Sequence, residues 1–410
     1  MAPDKRRKRQ DQLLRTYLAR ELYAYSPHYR RNFDDAGIKP RTLRHLSDVV
    51  RVGMTTWKEV AADPASFVLR PDEASIARYG DRRLVAAVTS AKLRGRTRQI
   101  NRQVIDPAFK PVHWHLIDDV PIGSSQDDLD RLAETGTRTL ALADIAEDDV
   151  LVTMLPSGPD IGYLQLSVGA LTGGIPALHL GLGAQPDLVR DASPAALAGG
   201  AAELARMLRA LDSGAAGAGG ARRTPAKRLA TLRTLIVVGE LLNASQRRSL
   251  SRLGRRVGAR DLEIVSCWAP RGVRAMWAQC RGGDAFHTYP DLECLELIGS
   301  FLDMAEVEGT GELLWSSLAW HGTAFFRLRT NTKVTLRDGT CPNCGRVGPR
   351  LLLGGASRSV RKTRAPSKAR ARTAKTARVA KATKATRAAR TTKATRAART
   401  TKATRLRSTR

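Results

Sequence analysis

Cysteine is sparse in this chain, with five among 410 residues, too few for a disulfide framework on a chain of that length. Two of the five stand in Cys341-Pro-Asn-Cys344, a spacing that suits metal binding in a reducing compartment. An apolar signal core is missing as well. The basic start Met1-Ala-Pro-Asp-Lys-Arg-Arg-Lys-Arg9 leads straight into a polar helix, so a cytoplasmic location is expected. Formal charge is absent from Ile161 to Gln185, a stretch of membrane-spanning length. Gly173-Gly174, Pro176, Gly181 and Gly183 interrupt it, and it parses as a buried helix followed by a strand. No membrane partner is expected. Acidic residues, finally, are missing from 355–410 altogether.

That last absence explains most of the charge. The whole chain carries a formal +30. Residues 355–410 hold 20 Lys or Arg, which leaves 49 bases against 39 acids in 1–354, a net of +10. Thr383-Lys-Ala-Thr-Arg-Ala-Ala-Arg-Thr391 repeats unchanged at 392–400 and approximately at 401–409. Bases recur at every third position, at Lys375, Arg378, Lys381, Lys384, Arg387, Arg390, Lys393, Arg396, Arg399, Lys402 and Arg405. Without large apolar residues such a segment cannot offset chain entropy, so a disordered tail over 354–410 is expected. A three-residue period winds charge around a helix rather than along one stripe, which suits a polyanion and not a membrane surface. These residues are therefore candidate nucleic-acid contacts, with nucleoid association as a corollary. The alternative is a solubilising tail without a partner.

Apolar residues make up 42% of the chain, normal for a globular protein. Leu13, Leu14, Tyr17, Leu18, Leu22 and Tyr25 recur at helical spacing in a helical lead-in over 1–75, with Pro27 ending the element. Thr56 with Glu59 fits a capping box. Two basic helices are expected around 82–104, stopping before Pro107. An α/β core is expected over 76–335: Ser125 with Asp128 caps a helix to about Ile145, and Val150–Met154, 160–172 and Ile175–Leu180 read strand, helix, strand. That order is a βαβ crossover with parallel pairing and a multilayer α/β core. An Ala/Leu helix over 195–211, a Gly/Ala linker at 213–220, a strand at Leu232–Val238, a helix over 244–256 and a strand at Leu262–Ser266 follow. From about 273 short strands and turns lead to a cysteine knuckle over 336–353.

Cys280 and His287 are separated by six residues, and Cys341 and Cys344 follow far downstream. Two soft-ligand pairs that distant suit a tetrahedral zinc clip between two loops, structural because four protein ligands close it. The alternative is a set of reduced thiols with an unrelated histidine. His113 and His115 flank Trp114 and share a face in a strand, for metal or catalysis or simply as packing. Arg271 and Arg274, beside Trp268 and Trp277, are candidates for an anionic ligand such as a CoA phosphate, or plain surface charge. Cys267 and Cys294 read as small buried hydrophobes, and His321 beside Trp320 as packing.

Tyr29-Arg-Arg-Asn-Phe-Asp-Asp-Ala-Gly-Ile38, Val237-Val-Gly-Glu240, His287-Thr-Tyr-Pro-Asp-Leu292, Gly311-Glu-Leu-Leu-Trp-Ser-Ser-Leu318, Arg327-Leu-Arg-Thr330 and Gly339-Thr-Cys-Pro-Asn-Cys-Gly-Arg346 together resemble blocks of the phenylacetate-CoA ligase family of adenylate-forming enzymes. The resemblance covers roughly 10–353 and the family's N-terminal domain. It implies ATP with magnesium, an acyl-adenylate, and transfer to CoA. Departures fall on the nucleotide positions. A Ser/Thr/Gly-rich phosphate loop with a lysine would precede Ser125, where the chain reads His113-Trp-His-Leu-Ile-Asp-Asp-Val-Pro-Ile-Gly-Ser-Ser125. The magnesium Glu falls on Arg271 and the ribose Asp on Thr332, and the chain leaves the family frame at 354. The expectation is a ligase-like scaffold that does not adenylate alone, with an acyl or CoA ligand or a partner ligase subunit. The alternative is an active AMP-forming ligase with an atypical ATP site.

Overall fold

Helices fill the chain up to Phe109 in the computed structural model, which describes residues 3–43, 46–80, 82–158, 161–213, 229–298, 309–318 and 320–353. Helix α1 (Pro3–Tyr17) passes through a π-helical segment at Leu18–Leu22 into α2 (Tyr23–Tyr25). Leu14, Tyr17, Leu18, Leu22 and Tyr25 are buried, as their spacing requires. The element ends at Tyr25, ahead of Pro27 as expected, and Pro27 also begins the next one. Extended Ser26 caps α3 (Pro27–Asp35) by accepting from Tyr29 N, and a first-turn proline forfeits no intrahelical bond. The capping box of Thr56 and Glu59 opens α4 (Trp57–Ala62). Helices α5 (Glu73–Tyr79) and α6 (Arg82–Leu93) follow. Then α7 (Thr97–Ile100) runs through a π segment at Asn101–Ile105 into α8 (Asp106–Phe109). The expected stop before Pro107 is thus corrected, because that proline too sits in a first turn where no donor is missed.

Strands β1 (His113–Ile117) and β2 (Val120–Ser124) form a separate antiparallel hairpin. Helix α9 (Gln126–Leu142) follows with the predicted Ser125–Asp128 capping box. The βαβ unit is β3 (Leu151–Thr153), α10 (Ile161–Thr172) and β4 (Ala177–His179), with β3 and β4 parallel. After α11 (Pro186–Ala192) the expected helix from 195 divides. Ala196-Leu-Ala-Gly199 is strand β5, and α12 starts only at Ala201 (Ala201–Ser213). Ala and Gly are poor strand formers, but both faces of β5 are covered by neighbours and burial decides. Strand β6 (Thr234–Val238), α13 (Ala244–Arg256) and β7 (Glu263–Trp268) lie within two residues of their predicted bounds.

The remaining strands are β8 (Trp277–Gln279), β9 (Phe286–His287), β10 (Glu293–Ile298), β11 (Gly309–Ser317), β12 (Leu328–Arg337) and β13 (Arg350–Leu353). Two of them are longer than expected, and all join the parallel strands in one 11-stranded sheet of order β10-β11-β12-β13-β9-β8-β7-β6-β5-β3-β4. Pairing is parallel from β4 to β7 and antiparallel from β7 onward. Alternation along β6 fixes the layers: Ile236 and Val238 pack with Leu140 and Leu166 on one face, Leu235 and Val237 with Leu204, Met207 and Leu250 on the other. The helical lead-in packs on the antiparallel half, where Leu18, Phe33 and Phe67 share a core with Trp315, Phe326 and Leu351. The Gly/Ala linker beyond Ser213 and the tail bases from Lys375 to Arg405 lie outside the described residues.

One buried acid organises that core. The Glu293 carboxylate accepts from Trp277 Nε1 at 2.8 Å, Tyr289 N at 2.7 Å and Trp315 Nε1 at 2.7 Å. Burial pushes it up to about 7 despite those donors. The folded chain therefore holds this proton more tightly than an unfolded one, whose glutamate titrates near ~4.3. Its stabilising contribution is complete below pH ~4.3 and is lost as pH rises to about 7, an effect of about 3 kcal/mol from this group. Chemical denaturation between pH 4.5 and 7.5 should show a slope that Glu293→Gln reduces, the remainder coming from Glu296, which burial likewise pushes up to about 7. Parallel pH profiles for parent and variant would show the acid titrating alike in both states.

Candidate functional site

The two expected soft-ligand pairs come together. Cys280 follows β8, His287 ends β9, and Cys341 and Cys344 lie in the turn between β12 and β13. Cys341 N donates to Arg346 O and Gly345 N to Cys341 O, folding the knuckle so that both thiols face one side. All four ligand atoms lie within 4.8 Å of one another. Cys280 Sγ is 3.7 Å from Cys341 Sγ, and Cys344 Sγ is 3.5 Å from His287 Nε2. A tetrahedron with Zn–S near 2.3 Å and Zn–N near 2.05 Å has edges of about 3.8 and 3.5 Å, so the donor set fits zinc in type and number, and these two separations match its edges. A Cβ added to Gly283 would lie 2.7 Å from Cys280 Sγ, so the cradle is also shaped by a small residue. The thiol hydrogen bond pulls Cys341 down to about 2 and pushes Cys280 well above the ordinary thiol range.

The segment expected to hold a phosphate loop, His113–Ser125, is the β1–β2 hairpin. Ile117 pairs directly with Val120, leaving Asp118 and Asp119 as a two-residue turn with φ of 47° and 63°. Two left-handed residues are what a tight hairpin of this twist requires, and aspartate tolerates them better than most side chains. Arg271 reaches the tip: its Nη2 lies 2.7 Å from Asp118 Oδ2, and its guanidinium carbon lies 5.6 Å from the Trp57 ring. Arg271 and the hairpin acid Asp118 thus engage each other. Both side chains are about half exposed, so the pair contributes at most ~1 kcal/mol to stability.

Arg274 is different, neither surface charge nor open to an anionic ligand. It is 1% exposed. Nη1 donates to Thr323 O, and Nη2 donates to Gly123 O at 3.0 Å and Ser124 Oγ at 2.6 Å. Its guanidinium carbon stands 5.3 Å from the centre of the Trp320 ring, and Asp128 Oδ2 is 3.8 Å from Nη2. Asp128, fully buried, accepts from the backbone N–H groups of Ser125, His321 and Gly322. Arginine and aspartate together tie the end of β2, the start of α9 and the 320–323 loop. Sequence spacing gave no hint of this knot.

His113 and His115 share a face, with ring centroids 6.2 Å apart. Burial pushes His115 down to about 3, leaving it neutral, and among the described residues the pair joins no third metal-ligating group. His321 packs against Tyr17 and Phe109, and its Nε2 lies 2.5 Å from Glu21. Cys267 and Cys294 are buried and free. Thr332 turns its hydroxyl to Thr330 O at 3.2 Å. Glu240, after the left-handed Gly239 that closes β6, accepts from Ala201 N at the start of α12.

No family model and no curated protein matches this chain. Solved structures do. A 2-hydroxyisobutyryl-CoA ligase in an open conformation, in complex with 2-HIB-AMP and CoA, superposes with a TM-score of 0.65 at 18% identity, over 86% of this chain and 69% of that one. The same ligase in its postadenylation state with R3-HIB-AMP gives 0.64 at 18%, over 86% and 68%. In the thioesterification state it gives 0.64 at 17%, over 86% and 69%. The fold is that of the adenylate-forming ligases. No helix among the described residues is long and apolar enough to cross a membrane.

Proposed function

We propose that this protein is a zinc-stapled ligase-like scaffold that does not adenylate a carboxylic acid by itself and takes an acyl or CoA-type ligand. The observation that carries this reading is the Arg271–Asp118 pair on the β1–β2 hairpin. Adenylation needs donors that cradle a triphosphate and an acid that holds magnesium. In this reading a two-residue turn stands where the flexible loop would be, and Arg271, paired with Asp118, stands where the magnesium acid would be. ATP–pyrophosphate exchange with a panel of aryl, hydroxy and fatty acids should stay at background, with no thermal shift on adding ATP and magnesium. Reproducible exchange with any acid would establish the second reading, an active AMP-forming ligase with an atypical nucleotide site, which the ligase fold favours.

Zinc in this reading is held by Cys280, His287, Cys341 and Cys344. Four protein ligands leave no position for substrate, so the ion would crosslink the β8–β9 region to the β12–β13 turn. The basic tail, Lys375 to Arg405, is proposed to bind nucleic acid without sequence preference, and a partner ligase subunit would supply any chemistry.

A further inference from the structure

One cavity lies in the helical lead-in. It measures about 770 Å³ and is walled by Arg15 of α1, Arg20, Arg41, Arg82 and Arg83 of α6, and Tyr79 of α5, with no acid among the described residues of its lining. A second groove of about 670 Å³ runs along α6 to Leu93 and Arg94, sharing Gly80 and Arg82 with the first and likewise without an acid among its described residues. The five cavity arginines and Arg94 are exposed, and none forms an ion pair among the described residues. Charge bookkeeping isolates this region. Residues 1–110 hold 24 bases and 12 acids, a net of +12, whereas 111–354 hold 25 bases and 27 acids. The positive excess of the folded part therefore belongs to the lead-in.

We infer that these joined grooves form a nucleic-acid phosphate track on the folded body, independent of the basic tail. Exposed guanidiniums along a surface channel bind phosphates in fork geometry, and a groove longer than one pocket suits a strand better than a single small anion. The site reads phosphates rather than bases. Tyr79 has Arg30 and Arg78 at 5.3 and 5.1 Å from its ring centre and Tyr23 edge-on at 5.5 Å, so its faces are not open to stacking. Leu93, 84% exposed, offers apolar surface beside the second groove. Binding should accordingly be insensitive to sequence and steeply dependent on salt.

The test uses the full chain and a fluorescein-labelled mixed-sequence 20-nucleotide single strand. Arg41→Gln/Arg82→Gln/Arg83→Gln replaces exposed side chains, so melting should be unchanged. Affinity at 100 mM salt should fall about tenfold or more, and the slope of log K against log salt should shrink by about 2, from ~0.7 per lost phosphate contact. The corresponding Lys triple variant should retain most of the slope. Photocrosslinking with a thiouridine strand should label peptides within 79–94 as well as the tail. Unchanged affinity and slope, with crosslinks confined to 355–410, would overturn the groove and leave the tail reading standing. Crosslinks in 79–94 alone would do the reverse. If the variant instead loses saturable binding of CoA or pyrophosphate while the oligonucleotide still binds, the cavity is a small-anion site and the inference fails.

Discussion

A Cys280→Ser chain is expected to melt about 10 °C below the parent and to lose the single zinc that the parent should carry through purification. Cys280 and Cys341 are buried, and the four donors join strand ends that no other covalent link holds together. Closed zinc sites contribute folding energy directly. In a unit this large, with its own core, the loss is estimated at about 4 kcal/mol, comparable to removing one crosslink. Each kcal/mol moves the midpoint by roughly 2–4 °C in chains of this class. Cys294→Ala is the control: that thiol is equally buried but outside the cluster, so zinc content should not change. Elemental analysis of freshly purified protein and melting with and without a chelator provide the readings. A zinc-free parent whose melting ignores both Cys280→Ser and the chelator would reduce the cluster to four packed side chains.

The cluster was legible in the sequence because metal chemistry constrains residue type and local spacing at once. Cys341-Pro-Asn-Cys344 can only face inward as a knuckle, and Cys280 with His287 brackets one hairpin. The same holds for elements whose signals are local, such as the Ser125–Asp128 box or the amphipathic α13. Strand β5 was not legible. Ala196-Leu-Ala-Gly199 carries a helical composition, and only β3 and β6 on either side make it a strand. Arg271 and Arg274 show the limit most clearly. Three residues apart, beside the same tryptophans, they look interchangeable in sequence, yet one is half exposed on a hairpin tip and the other is sealed inside. What separates them is a set of contacts some 150 positions away, which no local pattern encodes.

That separation makes Arg274→Met the second strongly destabilising change expected. The substitution keeps the aliphatic stem but strips the donors from Thr323 O, Gly123 O and Ser124 Oγ. It also leaves Asp128 without its nearest buried cation, and Arg131, 3.6 Å from Asp128 Oδ1, is only a partial substitute. Removing one partner of a buried pair costs about 3–5 kcal/mol, because the remaining charge and acceptors stay desolvated. Burial already pushes Arg274 below the ordinary guanidinium value, so the pair is held by its hydrogen bonds more than by charge alone. Arg271→Met should cost at most ~1 kcal/mol. Urea denaturation of both variants at one pH therefore gives an ordered result, with Arg274→Met far less stable than Arg271→Met. Equal costs would mean that the knot of β2, α9 and the 320–323 loop does not hold. Arg274→Met/Asp128→Asn completes the comparison: a pair joined through these contacts should lose less than the sum of the single changes, and strict additivity would show the two groups acting separately.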